Sequence, residues 1–262
     1  MTFAVSSRDV TAAEGTADDI ARVVDGSLGA LRLTDFLSAE DCRSVVAALN
    51  PAMFDQYDPE YYRTEAFRIG PSLNEHRFGS PGPDDYAAAA EKAWRWWGDG
   101  TVPIDLHAVF RAKLEHVWGG RSHAATFRGR PAYWGMIRRM AAGTLVHWDD
   151  VREEFGGPVL GEDLSRQLSV NVFLEGPGEG GELLVWSRRR EPDHEAARIS
   201  YGYDRDRVVP GDPDVILRPR TGDAVIFSPV NYHLVEPVAV GDRLVFSLFM
   251  AVAGDGDLVL WS

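Results

Sequence analysis

The chain has 262 residues, 45% of them hydrophobic, and carries a formal net charge of −13 at pH 7. That length allows one large domain or two small ones, and the apolar content is sufficient for a buried core without cross-links. The negative charge repels phosphate backbones and therefore argues against a nucleic-acid partner.

The cysteine content and the N-terminal segment indicate the cellular setting. Cys42 is the single cysteine, so neither an intramolecular disulfide nor a metal site built on cysteines is expected. Residues 1–20 lack the basic start and apolar run of a signal peptide. No apolar stretch approaches the roughly 18 residues of a membrane span. We therefore expect a cytoplasmic protein without membrane contact.

The first half of the chain is predicted to be mostly helical. Residues 37–50 offer Ser38 as an N-cap, acidic residues in the first turn and an apolar face. Residues 83–97 are alanine-rich after a proline, and residues 102–120 begin near a proline and end in glycines. We expect residues 1–129 to form helices that pack against one sheet.

After about residue 130 the pattern changes to short β-branched or aromatic runs separated by glycine, proline and aspartate. The runs that predict strands are AYWGMIRRM, GTLVHWD, RQLSVNVFLEG, GELLVWSR, DVILRPR, DAVIFSPV, YHLVEPV and DRLVFSLFMAV. Their spacing is typical of an antiparallel sandwich or barrel. The polar segment 187–214 is long for a loop between two strands, which suggests a functional or mobile element. We predict a single α+β domain over residues 1–262.

His147 and Asp149, in the segment TLVHWDD, are candidate metal ligands. Residues i and i+2 of an extended segment point to the same side, so an imidazole nitrogen and a carboxylate oxygen can reach one ion. His233, on a later predicted strand, can supply a third ligand. Two histidines and one carboxylate leave coordination positions open, which suits non-haem Fe(II). The alternative is a surface turn and an unrelated core histidine, and spacing alone does not choose between them.

Arg243 stands ten positions after His233, where the apolar strand DRLVFSLFM begins. Burying an arginine in such a strand is costly unless the arginine meets an anion. Its planar guanidinium fits a carboxylate with two parallel hydrogen bonds. The chain therefore combines three candidate metal ligands with one candidate carboxylate anchor.

The order HWD, then NVFLEGPGEGGELLVW, then HLVEPVAVGDR resembles the Fe(II)/2-oxoglutarate-dependent oxygenases, and the resemblance covers residues 130–252. These enzymes share H-x-D, a distant histidine and a later arginine or lysine. The resemblance implies a double-stranded β-helix, that is, a cupin-like jelly roll. It implies that His147, Asp149 and His233 hold Fe(II), that Arg243 binds the C5-carboxylate of 2-oxoglutarate, and that O₂ is the second cosubstrate.

The chain departs from this family pattern after the arginine. Many members carry serine or threonine two residues after it, where this chain has Val245, and Ser247 lies two residues further along the same strand face. Ser169 and Asn171 alternate with apolar residues in QLSVNVFL and are candidates for the missing hydrogen bonds to the cosubstrate. The alternative for this pair is an exposed sheet face.

The phrases GGELLVWSRRRE, SYGYDRD and GDAVIFSPVNYH are similar to those of freestanding oxygenases and halogenases that act on small natural products or free amino acids. Halogenating members replace the H-x-D carboxylate by glycine or alanine, so Asp149 favours hydroxylation of a small molecule at an unactivated C–H bond. Desaturation, cyclisation, epimerisation and halogenation are alternative outcomes at the same centre. A prolyl-hydroxylase-like modifier of proteins and a non-catalytic cupin-like binding protein are further alternatives.

Other motifs are weaker indicators. GPGEGG (176–181) lies between two predicted strands, so we expect a hairpin turn and not a nucleotide-binding loop. Tyr201 and Tyr203, in the long polar segment, are candidate lid residues. Trp148 or Trp186 is expected near the mouth of the pocket.

Overall fold

Helices lie mostly in the first half of the chain, as predicted, but strands occur along all of it. The computed structural model describes residues 2–57, 65–76 and 83–262. The helices are α1 (Ala17–Asp25), α2 (Ala39–Ala48), α3 (Pro83–Gly98), α4 (Leu106–Trp118), α5 (Val151–Glu154) and α6 (Arg205–Val208), with 3-10 helices at Pro51–Met53, Leu73–His76 and Pro192–Ala197. In these described parts, no helix combines the length and the hydropathy that a bilayer span requires.

Six of the described strands lie within residues 1–129, the region expected to be mostly helical. In chain order the strands are β1 (Val5–Thr11), β2 (Leu28–Thr34), β3 (Asp55–Gln56), β4 (Phe67–Ile69), β5 (Ser122–Ala124), β6 (Thr126–Phe127), β7 (Arg130–Pro131), β8 (Met136–Arg139), β9 (Leu168–Glu175), β10 (Glu179–Gly180), β11 (Leu183–Arg189), β12 (Arg198–Ile199), β13 (Gly202–Tyr203), β14 (Val215–Leu217), β15 (Ala224–Phe227), β16 (Asn231–Val235), β17 (Val238–Val240), β18 (Leu244–Val252) and β19 (Leu258–Trp261). Strand β2 pairs with β1 on one side and β15 on the other, and most of its residues are buried. A strand covered on both faces lacks the alternation of apolar and polar residues by which strands are predicted.

The described strands form one ten-stranded sheet and four smaller sheets. The large sheet runs in the order β1-β2-β15-β9-β18-β8-β4-β3, with β19 beside β18 and β5 beside β19. Its neighbours are antiparallel except for the pairs β1–β2 and β5–β19. A three-stranded sheet has the order β14-β11-β16. The prediction of a fold that mixes helices and strands is confirmed, and most of the strands belong to one large sheet.

Hydrogen bonds at the helix ends agree with two of the predicted helices. Ser38 accepts a hydrogen bond from the backbone N–H of Asp41, so α2 starts where its cap predicts. Helix α4 begins later than its proline suggests, because Asp105 accepts from the N–H of Ala108 and caps it. Gly119, in the left-handed conformation at φ 70°, ends α4.

The two faces of the large sheet have different surroundings. Even-numbered residues of β9 and β18 belong to a hydrophobic cluster with side chains of α1, α2 and α4. Members of this cluster are Ile20, Val23, Val45, Phe110, Leu114, Val170, Val172, Phe246 and Leu248. Odd-numbered residues on the opposite face, Phe173 and Val245 among them, cluster with Leu183 and Val185 of β11. Because side chains alternate along a strand, the polar residues at odd positions point toward the three-stranded sheet.

Phe246 is the centre of the packing between helices and sheet. Its ring is fully buried and lies 5.2 Å from that of His107 and 5.5 Å from that of Phe110, measured between centroids. Replacing Phe246 by alanine should lower the free energy of unfolding by about 3–5 kcal/mol, because a large cavity would remain. Urea denaturation followed by circular dichroism measures this change. Val240→Ala, at a position 54% exposed, is the control and should lower the free energy of unfolding by less than about 0.5 kcal/mol. Equal losses of stability in the two variants would contradict the central packing role of Phe246.

Candidate metal centre and adjoining cavity

His147 and His233 face each other across an isolated antiparallel bridge. The backbone N–H of each donates to the carbonyl of the other, at 3.0 Å and 2.9 Å. His233 lies on β16, whereas the segment around His147 forms single bridges and not the strand that was predicted for it. The pairing sets the two imidazole rings side by side, with centroids 4.2 Å apart.

Backbone carbonyls hold both imidazole rings through their Nδ1 atoms. Nδ1 of His147 lies 2.8 Å from the carbonyl oxygen of Leu145, and Nδ1 of His233 lies 3.0 Å from that of Asn231. A carbonyl oxygen can only accept a hydrogen bond, so each Nδ1 carries the proton and each neutral ring keeps a lone pair on Nε2. This is the tautomer in which Nε2 can bind a metal.

Asp149 completes the cluster that the sequence predicts. Its backbone N–H donates to the carbonyl of Pro229 at 2.8 Å. Its Oδ2 lies 3.9 Å from Nε2 of His147 and 3.6 Å from Nε2 of His233. Burial, with a smaller contribution from His147, holds the pKa of His233 well below its usual value, so this ring is neutral at pH 7. Two imidazole nitrogens and one carboxylate oxygen therefore surround a space suited to a single divalent ion.

Arg243 lies in the same cavity with its guanidinium buried. Its Cζ stands 5.1 Å from the centre of the Phe173 ring, and its Nε has no hydrogen-bond partner among the described residues. Burial, and to a smaller extent the charge of Arg138, lowers the pKa of Arg243 to about 10, so the side chain is still a cation at pH 7. A buried cation is costly without a counter-charge, so this site fits an anionic ligand.

The other polar residues predicted to contact the ligand share the inner face of the large sheet. The register of β9 and β18 places Ser247 opposite Asn171. Nδ2 of Asn171 donates to Oγ of Ser169 at 3.1 Å, and both residues line the cavity. Ser247 is buried on the same face but does not line the cavity, and its Oγ has no hydrogen-bond partner in the described parts of the chain. Ser169 and Asn171 are therefore the members of this group that a ligand beside Arg243 can reach.

Arg138 is a cavity residue that the sequence pattern does not reveal. It lies opposite Val245 in the pairing of β8 with β18 and lines the cavity. Its neighbour Arg139 is exposed and forms an ion pair with Asp242 at 2.7 Å. Two consecutive arginines in MIRRM do not indicate which one faces inward until the strand register is known.

The cavity is about 820 Å³ in volume, counting the space open at its mouth. Its charged lining consists, among the described residues, of Arg138, Asp149 and Arg243. The neutral polar side chains of the lining include Tyr57, Ser72, Asn74, Thr144 and Tyr201, and its apolar side chains include Leu183, Val225, Phe227, Val235 and Phe249. This mixture of a few convergent polar groups with apolar walls is typical of small-molecule sites.

The aromatic residues predicted near the mouth divide into two groups. Tyr201 lines the cavity, with its ring 5.6 Å from that of His147, and its hydroxyl accepts from the N–H of Leu145. Tyr203, Trp148 and Trp186 do not line it. Nε1 of Trp148 donates to the Tyr203 hydroxyl, and Trp186 packs under a surface arginine. The prediction of a lid position is therefore wrong for Tyr203, which instead anchors the segment.

Glu195 holds the segment 187–214 in place. It accepts hydrogen bonds from Arg190, Arg198 and the Tyr203 hydroxyl, each at 2.8 Å. These bonds, that from Arg198 above all, lower the pKa of Glu195 to about 2. Arg198 and Tyr203 belong to the hairpin formed by β12 and β13, which carries Tyr201 at its turn. The hydrogen bonds of Glu195 therefore hold this hairpin.

Comparisons with known proteins agree with this geometry. A family model described as the 2OG-Fe(II) oxygenase superfamily matches residues 135–251. An L-gamma-glutamyl-L-propargylglycine hydroxylase from Streptantibioticus cattleyicolor is 34% identical over 254 residues, which cover 94% of this chain and 91% of the relative. An N-substituted L-amino acid dioxygenase from Burkholderia ambifaria has a similar fold, with a TM-score of 0.57 at 16% identity over 94% of this chain and 91% of that chain. A structure of the same dioxygenase with alpha-KG also gives 0.57, at 14% identity and the same coverage.

Replacing Glu195 by glutamine should loosen the hairpin that carries Tyr201. Hydrogen–deuterium exchange of residues 192–203 should be faster than in the wild type at pH 7, whereas Glu179→Gln, at an exposed carboxylate outside this segment, should leave it unchanged. Folding depresses the pKa of Glu195 from 4.5 to about 2. The stability that its carboxylate adds to the folded hairpin is therefore complete above pH 4.5 and is lost as the pH falls through about 2. Wild-type protection that does not weaken over this range, after correction for intrinsic exchange, would contradict the assignment.

Proposed function

Because the chain belongs to the 2OG-Fe(II) oxygenase superfamily and is an Fe(II)- and 2-oxoglutarate-dependent dioxygenase, we propose that it hydroxylates an unactivated C–H bond of a small, amino-acid-derived molecule. The relative at 34% identity, named for hydroxylation of a γ-glutamyl dipeptide, supports this substrate class. The observation that carries the proposal is the convergence of Nε2 of His147, Nε2 of His233 and Oδ2 of Asp149 beside the buried Arg243.

We assign the iron ligands to His147, Asp149 and His233. When bound, Fe(II) with 2-oxoglutarate and O₂ supplies the oxidising chemistry that C–H hydroxylation requires. The protein contributes the orientation of the ligands, since carbonyl oxygens of its own backbone keep each Nδ1 protonated and each Nε2 available. The carboxylate of Asp149 fills the position that is glycine or alanine in the halogenating members that the sequence resembles, which favours hydroxylation over halogenation.

Arg243 is proposed to bind the C5-carboxylate of 2-oxoglutarate. Its buried guanidinium offers two parallel N–H donors and needs a counter-charge. Asn171 and Ser169 lie on the neighbouring strand and are proposed to supply the second contact to that carboxylate, in place of the serine or threonine for which this chain has Val245. Ser247, buried beside Asn171, is the third candidate for this contact.

We further propose that residues 1–262 form one domain and that its two main sheets form the double-stranded β-helix of the superfamily. In support, β16 of the small sheet carries His233, whereas Arg243 directly precedes β18 of the large sheet. Apolar residues of both sheets share one cluster between them. The helical first half is then the layer that packs against the outer face of the large sheet.

The substrate is proposed to be a small molecule and not an extended peptide. Tyr201 closes part of the cavity beside His147, and the ion pairs of Glu195 hold the hairpin that carries it. An extended peptide would require an open groove at this place. The apolar walls around Phe227 and Phe249 exclude water from a bound small molecule and orient its C–H bond toward the ligands.

Substitution of the ligands tests the metal assignment. In chloride-free buffer, His147→Ala and Asp149→Ala should each lose iron-dependent formation of succinate from 2-oxoglutarate, because each removes one of three ligands and no chloride can replace the carboxylate. The assay contains Fe(II), ascorbate and 2-oxoglutarate, and bound iron is determined in parallel. His116→Ala, at an exposed helix position, is the control and should keep both properties. Wild-type turnover in both ligand variants would refute the assignment.

Substitution of Arg243 tests the carboxylate anchor. Arg243→Ala should raise the 2-oxoglutarate concentration for half-maximal succinate formation by at least about tenfold, since a charged hydrogen bond contributes roughly 1.5–3 kcal/mol. Arg218→Ala, which removes an exposed arginine paired with Glu182, should leave this concentration unchanged. An unchanged requirement in the Arg243 variant would place the anchor elsewhere.

A further inference from the structure

Arg138 brings a second cation to the inner face of the large sheet. It lies opposite Val245, which follows Arg243 by two residues on the same face, so the two arginines are diagonal neighbours. Both arginines line the cavity that His147, Asp149 and His233 also line. Arg138 therefore lies beside the proposed anchor and in the same cavity as the candidate metal ligands.

Among the described residues, the lining of the cavity carries more cations than acids. Among the described lining residues, Asp149 is the acid and Arg138 and Arg243 are the cations. In the proposed function, Asp149 faces the metal and Arg243 takes the C5-carboxylate of 2-oxoglutarate. Arg138 has an interaction of its own within the chain, but a guanidinium has five N–H donors, so one edge of it can serve a ligand as well.

The neutral polar lining of the cavity that contains Arg138 suits a polar end group. Tyr57, Ser72 and Asn74 line the same cavity and offer hydroxyl and amide groups. Burial raises the pKa of Tyr57, so its hydroxyl stays protonated and can donate at neutral pH. The apolar part of the lining, with Phe227 and Val235, is suited to the hydrocarbon part of the same molecule. An amino-acid-like compound combines these two kinds of group.

We propose that Arg138 binds a carboxylate of the organic substrate, so that the enzyme selects amino acids or γ-glutamyl dipeptides that carry this group. The proposal rests on the proposed function and names the residue that recognises the substrate class. A guanidinium and a carboxylate form a charge-assisted pair that is both strong and directional. Binding the carboxylate at a fixed position would also determine which C–H bond faces the metal ligands.

The test measures binding to the Fe(II)-loaded enzyme with 2-oxoglutarate under anaerobic conditions, by isothermal titration calorimetry. The probes are L-γ-glutamyl-L-propargylglycine and its two mono-amides, each with one of the carboxylates replaced. The variants are Arg138→Gln and Arg138→Lys. Arg139→Gln is the matched control, since Arg139 is the neighbour on the same strand that faces outward. Circular dichroism verifies folding, and Arg138→Lys serves if the glutamine variant does not fold.

In the wild type, amidation of one of the two carboxylates should weaken binding by about tenfold or more, the loss expected for a charged hydrogen bond. Arg138→Gln should bind the free dipeptide as weakly as the wild type binds that amide, and should lose nothing further on amidation. Arg138→Lys should be intermediate, because it keeps the charge but not the paired donors. Arg139→Gln should behave as the wild type, and the affinity for 2-oxoglutarate should not change in any variant.

Three results would overturn the proposal. The wild type could bind the dipeptide and both amides equally, or not bind the dipeptide, or Arg138→Gln could weaken 2-oxoglutarate instead of the dipeptide. Succinate formation in the wild type, measured without an organic substrate, separates these results from a failure of the proposed function. If succinate forms and depends on His147, the oxygenase reaction stands although the assignment of Arg138 fails.

Discussion

The candidate site depends on one pair of backbone hydrogen bonds, those between His147 and His233. The two residues are 86 positions apart in the chain, and the bridge sets their Cα atoms opposite each other. Asp149 then follows from the geometry of an extended segment, because a residue two positions on projects to the same side. The hydrogen bond from the backbone N–H of Asp149 to the carbonyl of Pro229 extends this pairing, so the three side chains face one space.

Because side chains alternate along β9 and β18, one face of these strands packs in the hydrophobic core and the other carries polar residues of the candidate site. Residues on one face pack with helices and aromatic rings, and those on the other face include Asn171, Val245 and Ser247. Arg243, next to the first residue of β18, is buried at a cost in free energy that the apolar contacts of the opposite face help to offset. Arg243, the proposed anchor, thus directly precedes a strand whose opposite face packs against the helices.

The sequence predicts the parts of this arrangement that are encoded locally. Helix caps such as Ser38 act within one turn, and the spacing of His147, Asp149 and His233 follows a family pattern whose assignment to this superfamily is confirmed. The sequence does not predict what depends on pairing between distant segments. Strand β2 lacks alternation because it is covered on both faces, and Arg138 cannot be distinguished from its neighbour without the register of β8.

The groups that orient both imidazole rings are main-chain carbonyls, those of residues 145 and 231. Every amino acid carries such an oxygen, so the correct tautomer does not require a particular side chain at either position. Leucine at 145 and asparagine at 231 are thus free to drift during evolution, within the limits of packing, while the ring orientation persists. The side chains at these two positions can therefore change with their surroundings, while the orientation of both proposed iron ligands is kept by the backbone alone.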